Sequence, residues 1–152
     1  MSVLHTEKDG KPSVIIIVLG EPVAQGRPRF AKRGSFVTAY DPTKSAKYKN
    51  TIRKELQPLI TNKAFKPFDG PCSLELSIYR SIPKSFSHKK QNAAASGEIR
   101  PTTRPDTDNY IKGILDALNS IVVKDDSQIV DIVAKKFYSD TPRIDVVVSK
   151  LT

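Results

Sequence analysis

The sequence predicts an α+β fold, with a mixed sheet of about five strands packed against two main helices. Segments with strand periodicity occur in both halves of the chain, and two segments with helical periodicity lie between them. The 152 residues fit the size of one domain, and no internal repeat divides them. We therefore expect a single domain over residues 1–152, in which residues 1–12 are too polar to pack and form a flexible N-terminus.

The first predicted strand spans residues 14–19, an unbroken run of aliphatic side chains that ends at Gly20. Such a run predicts a central strand that is buried on both faces. Residues 21–34 then combine glycine, proline and several basic residues without any helical period. This composition indicates an ordered basic loop or an irregular hairpin.

The first main helix is predicted over about residues 42–61. Asp41 is the expected N-cap, and Pro42 suits the first helical position because that position needs no N–H donor. Pro58 should kink or shorten the last turn. Apolar residues at helical spacing supply the buried stripe: Ala46, Ile52, Leu56, Leu59 and Ile60.

The second half of the chain alternates strands with one long loop and one helix. Apolar and polar residues alternate from Cys72 to Tyr79, which predicts a strand with one buried face and gives Cys72 a purely structural role. Residues 81–104 form a long loop, with a short helix around residues 87–96. The second main helix is expected over residues 110–119, a short strand over 121–123, and closing strands over 129–138 and 143–148.

Charge and cysteine content narrow the class of function. Lysine and arginine number 25 against 16 acidic residues, a net charge of +9 that suits a polyanionic partner if the charges cluster. A single cysteine excludes an intrachain disulfide and, with two histidines, a Cys/His zinc cluster, which fits a reducing cytoplasmic compartment. No membrane association is expected, because no segment resembles a transmembrane span or a signal peptide.

Five aspartates locally reverse the basic charge of the chain: Asp106, Asp108, Asp116, Asp125 and Asp126. Carboxylate oxygens are the ligands that Mg²⁺ and Mn²⁺ prefer. A divalent cation can activate water and offset the charge that develops on a phosphodiester during hydrolysis. Acidic residues surrounded by basic ones therefore indicate a metal-dependent nuclease.

Structural explanations compete with this interpretation. Asp108, Lys112 and Asp116 share one helical stripe, where i,i+4 ion pairs are worth only about 0.2–0.5 kcal/mol each. Asp106 or Asp108 can also cap the helix, which would explain one aspartate but not the others. An EF-hand loop is excluded, because Ile111 and Ala117 stand where its glycine and glutamate are required.

The segment RPDTDNYIKGILDALN at residues 104–119, followed by DDSQI at 125–129, closely resembles the signature of RusA-family Holliday junction resolvases. Further similarity is found in GEPV at 20–23, GRPRF at 26–30, IPKSF at 82–86 and KFY at 136–138, and in Pro142-Arg143. The resemblance covers most of residues 14–148.

The resemblance implies a homodimeric endodeoxyribonuclease of phage or prophage type, which acts in DNA recombination and repair and nicks opposed strands of a four-way junction symmetrically. It implies Mg²⁺ as cofactor, with Mn²⁺ able to substitute, and no small-molecule organic cofactor. Matched by position, Asp106, Asp108 and Asp126 are metal ligands and catalytic residues, and Lys112 is the essential lysine. We expect these four residues to converge in the fold.

Other residues are assigned less specific roles. Asp125 and Asp116 are alternative acidic candidates, and Asn109 is a candidate hydrogen-bonding partner of the site. Phosphate contacts are expected from basic residues that flank the acids in sequence: Arg27, Arg29, Lys32, Arg33, Lys84, Lys89, Lys90, Arg100 and Arg104, together with Lys44 and Lys47. Two other functions stay open, a nuclease with broader branched-DNA specificity and a catalytically silent junction-binding protein.

Overall fold

A computed structural model describes residues 3–27, 29–40 and 42–152, and it leaves the side chains of Arg29 and Arg33 undescribed. The strands are β1 (Val3–Lys8), β2 (Lys11–Leu19), β3 (Arg29–Arg33), β4 (Phe36–Tyr40), β5 (Cys72–Ser81), β6 (Ile129–Ser139) and β7 (Arg143–Lys150). The helices are α1 (Thr43–Glu55), α2 (Gln57–Thr61), α3 (His88–Ala95) and α4 (Thr107–Leu118), with a 3₁₀ turn at Asp126–Gln128.

The main sheet contains five strands in the order β1-β2-β7-β5-β6, and β3 and β4 form a separate hairpin. Only β5 and β6 run parallel among the five, so the sheet is mixed and the predicted α+β class is confirmed. β2 is an interior strand, as predicted, because β1 and β7 pair with its two edges, although β7 takes the middle position. The prediction that β2 is buried on both faces was wrong: Ile16 is fully buried on the core face, whereas Ile15 and Ile17 on the other face are only half-buried.

The core lies between one face of this sheet and the helices α1, α2 and α4. Alternate residues of the inner strands point into it and are almost completely buried: Val14, Ile16, Val18, Leu74, Leu76, Ile78, Ile144, Val146 and Val148. From α4, Tyr110, Ile114 and Leu118 pack onto them. Burial of each large aliphatic side chain stabilises the fold by about 1.5–3 kcal/mol, so α4 is held firmly against the sheet.

The N-terminal residues do not match the expected flexible segment, because Val3–Lys8 forms β1 and pairs antiparallel with β2. Asp9 and Gly10 make the connecting turn with φ of 53° and 75°, the conformation that an Asp-Gly hairpin turn requires. Val3 is buried and the His5 ring packs edge-on against Phe65, with 5.1 Å between centroids. The Asp-Gly pair was the sequence signal for this hairpin.

The first predicted helix is divided in two, as expected from Pro58. α1 ends at Glu55 with Leu56 as its C-cap, and α2 begins at Gln57 with Pro58 in its first turn. Pro42 precedes the helix with ψ of 142° instead of occupying its first position, and Asp41, the expected N-cap, lies outside the described residues. Ile60 was wrongly assigned to the buried stripe, since it is 49% exposed; its side of the short α2 faces away from the sheet.

The remaining elements follow the prediction with one exception. β5, β6, β7 and the short helix α3 are confirmed, and Cys72 is fully buried. Residues 121–123 do not form a strand but a turn, in which Val123 makes only isolated bridges to Phe68 and Asn119. None of the described helices is long and apolar enough to cross a membrane.

Candidate active site

The basic segment after β2 is clamped between α1 and α4. The amide of Gln25 donates to the carbonyl oxygen of Asn109 at 3.0 Å, and the amide of Gly26 donates to Ser45 Oγ at 2.8 Å. A Cβ atom at Gly26 would lie 2.9 Å from Pro42 Cγ, so glycine is required for this close approach. The clamp fixes the chain immediately before Arg27 beside the first turn of α4.

Two strand residues hold the loop that precedes α4. Lys136 Nζ on β6 donates to the carbonyl oxygens of Thr103 and Pro105, both at 2.9 Å. Arg80, at the end of β5, donates through Nη1 to Thr103 Oγ1 at 3.1 Å. Burial and the nearby Arg80 charge lower the pKa of Lys136, and the Asp106 carboxylate partly opposes this. Asp106 therefore lies within the electrostatic reach of this basic pair.

The capping alternative does not explain Asp106. Asp106 occupies the N-cap position of α4 with φ of −71° and ψ of 151°, but its side chain accepts no cap hydrogen bond from the described helix. Asp108 lies in the first turn and is exposed. Both carboxylates thus stand at the positive end of the helix dipole, where negative charge is stabilised.

Lys112 is not the ion-pair partner of Asp108 or Asp116 in the described structure, and Asp116 pairs with another helix. Among the described side chains, neither Asp108 nor Lys112 takes part in an ion pair, although they lie one helical turn apart. Asp116 Oδ2 instead lies 3.6 Å from Nζ of Lys49, a buried residue of α1. Arg53 also donates to the Asp116 carbonyl oxygen at 3.3 Å, so Asp116 joins α1 to α4.

Asp125 makes hydrogen bonds within its own turn, to Ser127 and Gln128. Its carboxylate accepts the Ser127 amide at 3.1 Å and the Ser127 hydroxyl, and its amide donates to Gln128 Oε1 at 2.8 Å. Together these hydrogen bonds complete a capping box, and the two from the Ser127 hydroxyl and amide lower the pKa of the Asp125 carboxyl. Asp126, which is half-buried and makes no such bond within the described turn, is the better ligand candidate of the two.

Asp126 does not reach the other two aspartates within one chain. It precedes Ile129, which pairs with Cys72 at the start of β5, whereas Lys136 pairs with Ile78 near the other end. These positions on β6 are separated by roughly 23 Å at the usual rise of a strand. The part of the chain that is described contains no group of three acidic, histidine or cysteine residues able to hold a metal. The expected convergence is therefore not met within a single chain.

Two adjoining cavities near Asp106 are lined by basic side chains. The smaller, of about 440 Å³, is lined by Asp106 and Asn109 together with Arg27 and Arg104. The larger, of about 710 Å³, shares Arg27 and adds further polar groups at its wall: Glu21, Lys44, Arg80 and Tyr110. Of the residues predicted to contact phosphate, Arg27 and Arg104 therefore share a cavity with Asp106.

The other predicted basic residues have varied surroundings. Lys32, Lys84 and Lys89 are exposed, and Lys90 lies over the Phe86 ring at 4.1 Å. Arg100 packs onto the sheet, because its guanidinium lies 4.4 Å from the Phe137 ring centroid and its Nε donates to the Lys136 carbonyl oxygen. The side chains of Arg29 and Arg33 lie outside the described residues.

Sequence reasoning missed Arg80 and Lys136 as residues of this region. Arg80 lies two residues after Ile78 on β5, and Lys136 pairs with Ile78 from β6, so both are on the core-facing side of their strands. A charge on that side of a strand is costly unless it is satisfied, so it is a useful signal of function or of structural anchoring.

Comparison with known proteins gives a family match and one similar bacterial protein. The family model described as endodeoxyribonuclease RusA matches residues 20–149, which include both cavities and all five aspartates. "Uncharacterized protein YqaN" of Bacillus subtilis (strain 168) is 44% identical over 142 residues, covering 89% of this chain and 94% of that protein.

Proposed function

The chain belongs to the RusA family of endodeoxyribonucleases, and from this we propose that it resolves four-way DNA junctions by Mg²⁺-dependent, symmetric nicking of opposed strands. One observation carries the proposal. Asp106 and Asp108 stand at the N-terminus of α4 without cap or ion-pair partners among the described residues, and Asp106 shares a cavity with Arg27 and Arg104. A carboxylate that could bind a metal ion therefore lies in the same cavity as two arginines that could bind a phosphate.

The donor set fits a hard divalent cation. Mg²⁺ is usually held by one or two carboxylates, with water and substrate phosphate as the remaining ligands. Asp106 and Asp108 supply two exposed carboxylates of this kind. When bound, the ion would supply a more acidic water and offset negative charge on the scissile phosphate.

The remaining residues of the site act on the DNA. Arg27 and Arg104, which line the same cavity as Asp106, would bind phosphate oxygens there. Lys112 follows Asp108 by one helical turn and is exposed, and in this proposal it stabilises the phosphate or the leaving oxygen. Asn109, whose carbonyl oxygen accepts the Gln25 amide and which lines the same cavity, would orient a ligand through its side-chain amide.

A homodimer would complete the site with Asp126. β6 is an edge strand of the described sheet, and it exposes Val130, Ile132 and Val133, which are 59%, 44% and 52% accessible. An exposed apolar edge of this length favours pairing with another chain. Two β6 strands related by a two-fold axis run antiparallel, so the start of one lies beside the end of the other. Asp126 of the partner subunit would then approach Asp106.

The cleavage of matched DNA substrates tests this function. Purified protein is incubated with a four-way junction, a three-way junction and a linear duplex of the same arm sequences, with Mg²⁺, Mn²⁺ or EDTA. We expect paired symmetric nicks in the four-way junction with either metal and none with EDTA. Equal cutting of three-way junctions would support the broader nuclease, and binding without cutting would support the silent junction-binding protein.

A further inference from the structure

The β3–β4 hairpin exposes large apolar side chains that the core does not use. Phe30, Phe36, Val37 and Tyr40 are 70%, 76%, 64% and 48% accessible, and none belongs to the hydrophobic core cluster. In the described sheets β3 and β4 pair only with each other. Exposed apolar groups of this size on a projecting element usually mark a binding surface.

Strand register gives the hairpin an apolar tip. Phe36 directly follows the Gly34-Ser35 turn, in which Gly34 has φ of 62°. Its neighbour Val37 lies opposite Lys32 on the other face, because side chains alternate along a strand. The end of the hairpin therefore carries an aromatic group on one face and an aliphatic group on the other, and Phe36 is the more exposed of the two.

The hairpin is rooted beside the acidic site. Its first strand begins just after Arg27, which lines the cavity of Asp106, and its second strand leads to Lys44 in the adjoining cavity. The hydrogen bond from Gly26 to Ser45 Oγ joins the two stems. Arg27 and Lys44 lie at the root of the hairpin, and Lys32 pairs with Val37 next to its tip. These positive charges suit a polyanion and disfavour a second copy of the same basic surface.

We propose that this hairpin is a wedge that enters the branch point of a DNA junction, with Phe36 stacked on the bases at the crossover. This inference rests on the proposed function. It assigns to the hairpin the ability to distinguish a junction from a duplex. Bases at a branch point expose faces that a continuous duplex covers, so the cost of unstacking them is smallest there. Inserted apolar side chains are an established way to hold opened base steps.

The test compares Phe36→Ala with Phe36→Trp and a matched control, Ile60→Ala, in which an exposed aliphatic residue of α2 is truncated. The full-length variants are titrated in EDTA with a four-way junction and with a linear duplex, and 2-aminopurine placed at the branch point reports unstacking. Loss of one aromatic–base stack predicts roughly tenfold or more weaker junction binding by Phe36→Ala. Its duplex affinity should be unchanged, and the rise in 2-aminopurine fluorescence should disappear.

Phe36→Trp and Ile60→Ala should behave as the original protein in both titrations. Unchanged junction affinity and fluorescence in Phe36→Ala would overturn the wedge while leaving the proposed function intact. Equal weakening on duplex and junction would also overturn it, as would a loss of binding that accompanies a changed sedimentation coefficient, because the hairpin would then join copies of the chain. If the original protein shows no preference for the junction, the proposed function and the wedge both fail.

Discussion

Lys136 on β6 donates a hydrogen bond from Nζ to the carbonyl oxygen of Pro105, 2.9 Å away, and so fixes the residue that precedes Asp106. A second bond from the same amine to Thr103 makes the anchor bidentate. Asp106 is the N-cap of α4, but its position is fixed by a lysine of the sheet and not by α4 itself.

Removal of this anchor should slow cleavage without a comparable loss of DNA binding. Lys136→Met keeps the aliphatic stem but removes the donor to the Pro105 carbonyl oxygen and leaves the Thr103 carbonyl oxygen with the longer bond from Arg80, at 3.4 Å. Displacement of a catalytic group by about 1 Å can cost up to roughly a hundredfold in rate, so we expect a tenfold to hundredfold lower kcat. Lys135→Met, at the neighbouring exposed position, is the control. Equal effects of the two variants on kcat would contradict an anchoring role.

The pKa of Lys136 should respond to its two charged neighbours in opposite directions. It is lowered by burial and by Arg80 and raised by Asp106. Arg80→Gln should therefore raise it, and Asp106→Asn should lower it further, as followed by NMR titration of the labelled lysine side chain. The pKa of Lys136 is lower in the folded than in the unfolded protein. Just below pH of about 10.4 the unfolded chain therefore binds more protons than the folded one. As a result, Lys136 makes the free energy of unfolding rise with pH in that range. Insensitivity to Asp106→Asn would show that the two groups are not close.

The sequence was informative wherever one local period or one strong turn signal decided the structure. The burial alternation of β5 and the Pro58 break needed no knowledge of the rest of the chain. The central position of β7 and the distance of Asp126 from Asp106 were not predictable in this way, because both depend on which strands pair. Local spacing identified Asp106, Asp108 and Lys112 as candidates. It could not show that Asp126 lies far from Asp106 in the same chain.

Asp116 should prove structural and not catalytic. Its carboxylate pairs with buried Lys49, but it is itself partly exposed, with 39% of its side chain accessible. We expect Asp116→Asn to lower the free energy of unfolding by about 1 kcal/mol and to leave the rate of junction cleavage nearly unchanged. Denaturant unfolding in a double-mutant cycle with Lys49→Met measures the coupling. A hundredfold loss of cleavage by a folded Asp116→Asn protein would place this residue in the site after all.

Mixed dimers test whether Asp126 acts across the proposed interface. Asp108→Asn and Asp126→Asn should each be inactive alone. In a mixed dimer, a site built from two subunits restores one intact set of acids, so co-refolded variants should regain nicking of one strand per junction. A site built within one chain leaves both sets damaged, and the mixture would then stay inactive. Differently tagged subunits allow the mixed dimer to be isolated before the assay.

The most direct measurement is junction cleavage and junction binding by Asp108→Asn, with Asp116→Asn as the matched control on the same helix. The substitution removes one carboxylate charge without altering Arg27, Arg104 or the hairpin. We predict that Mg²⁺-dependent cleavage by Asp108→Asn falls at least a hundredfold while its affinity for a four-way junction stays within about threefold, and that Asp116→Asn still cuts. Cleavage by Asp108→Asn at the original rate would contradict the assignment of the site.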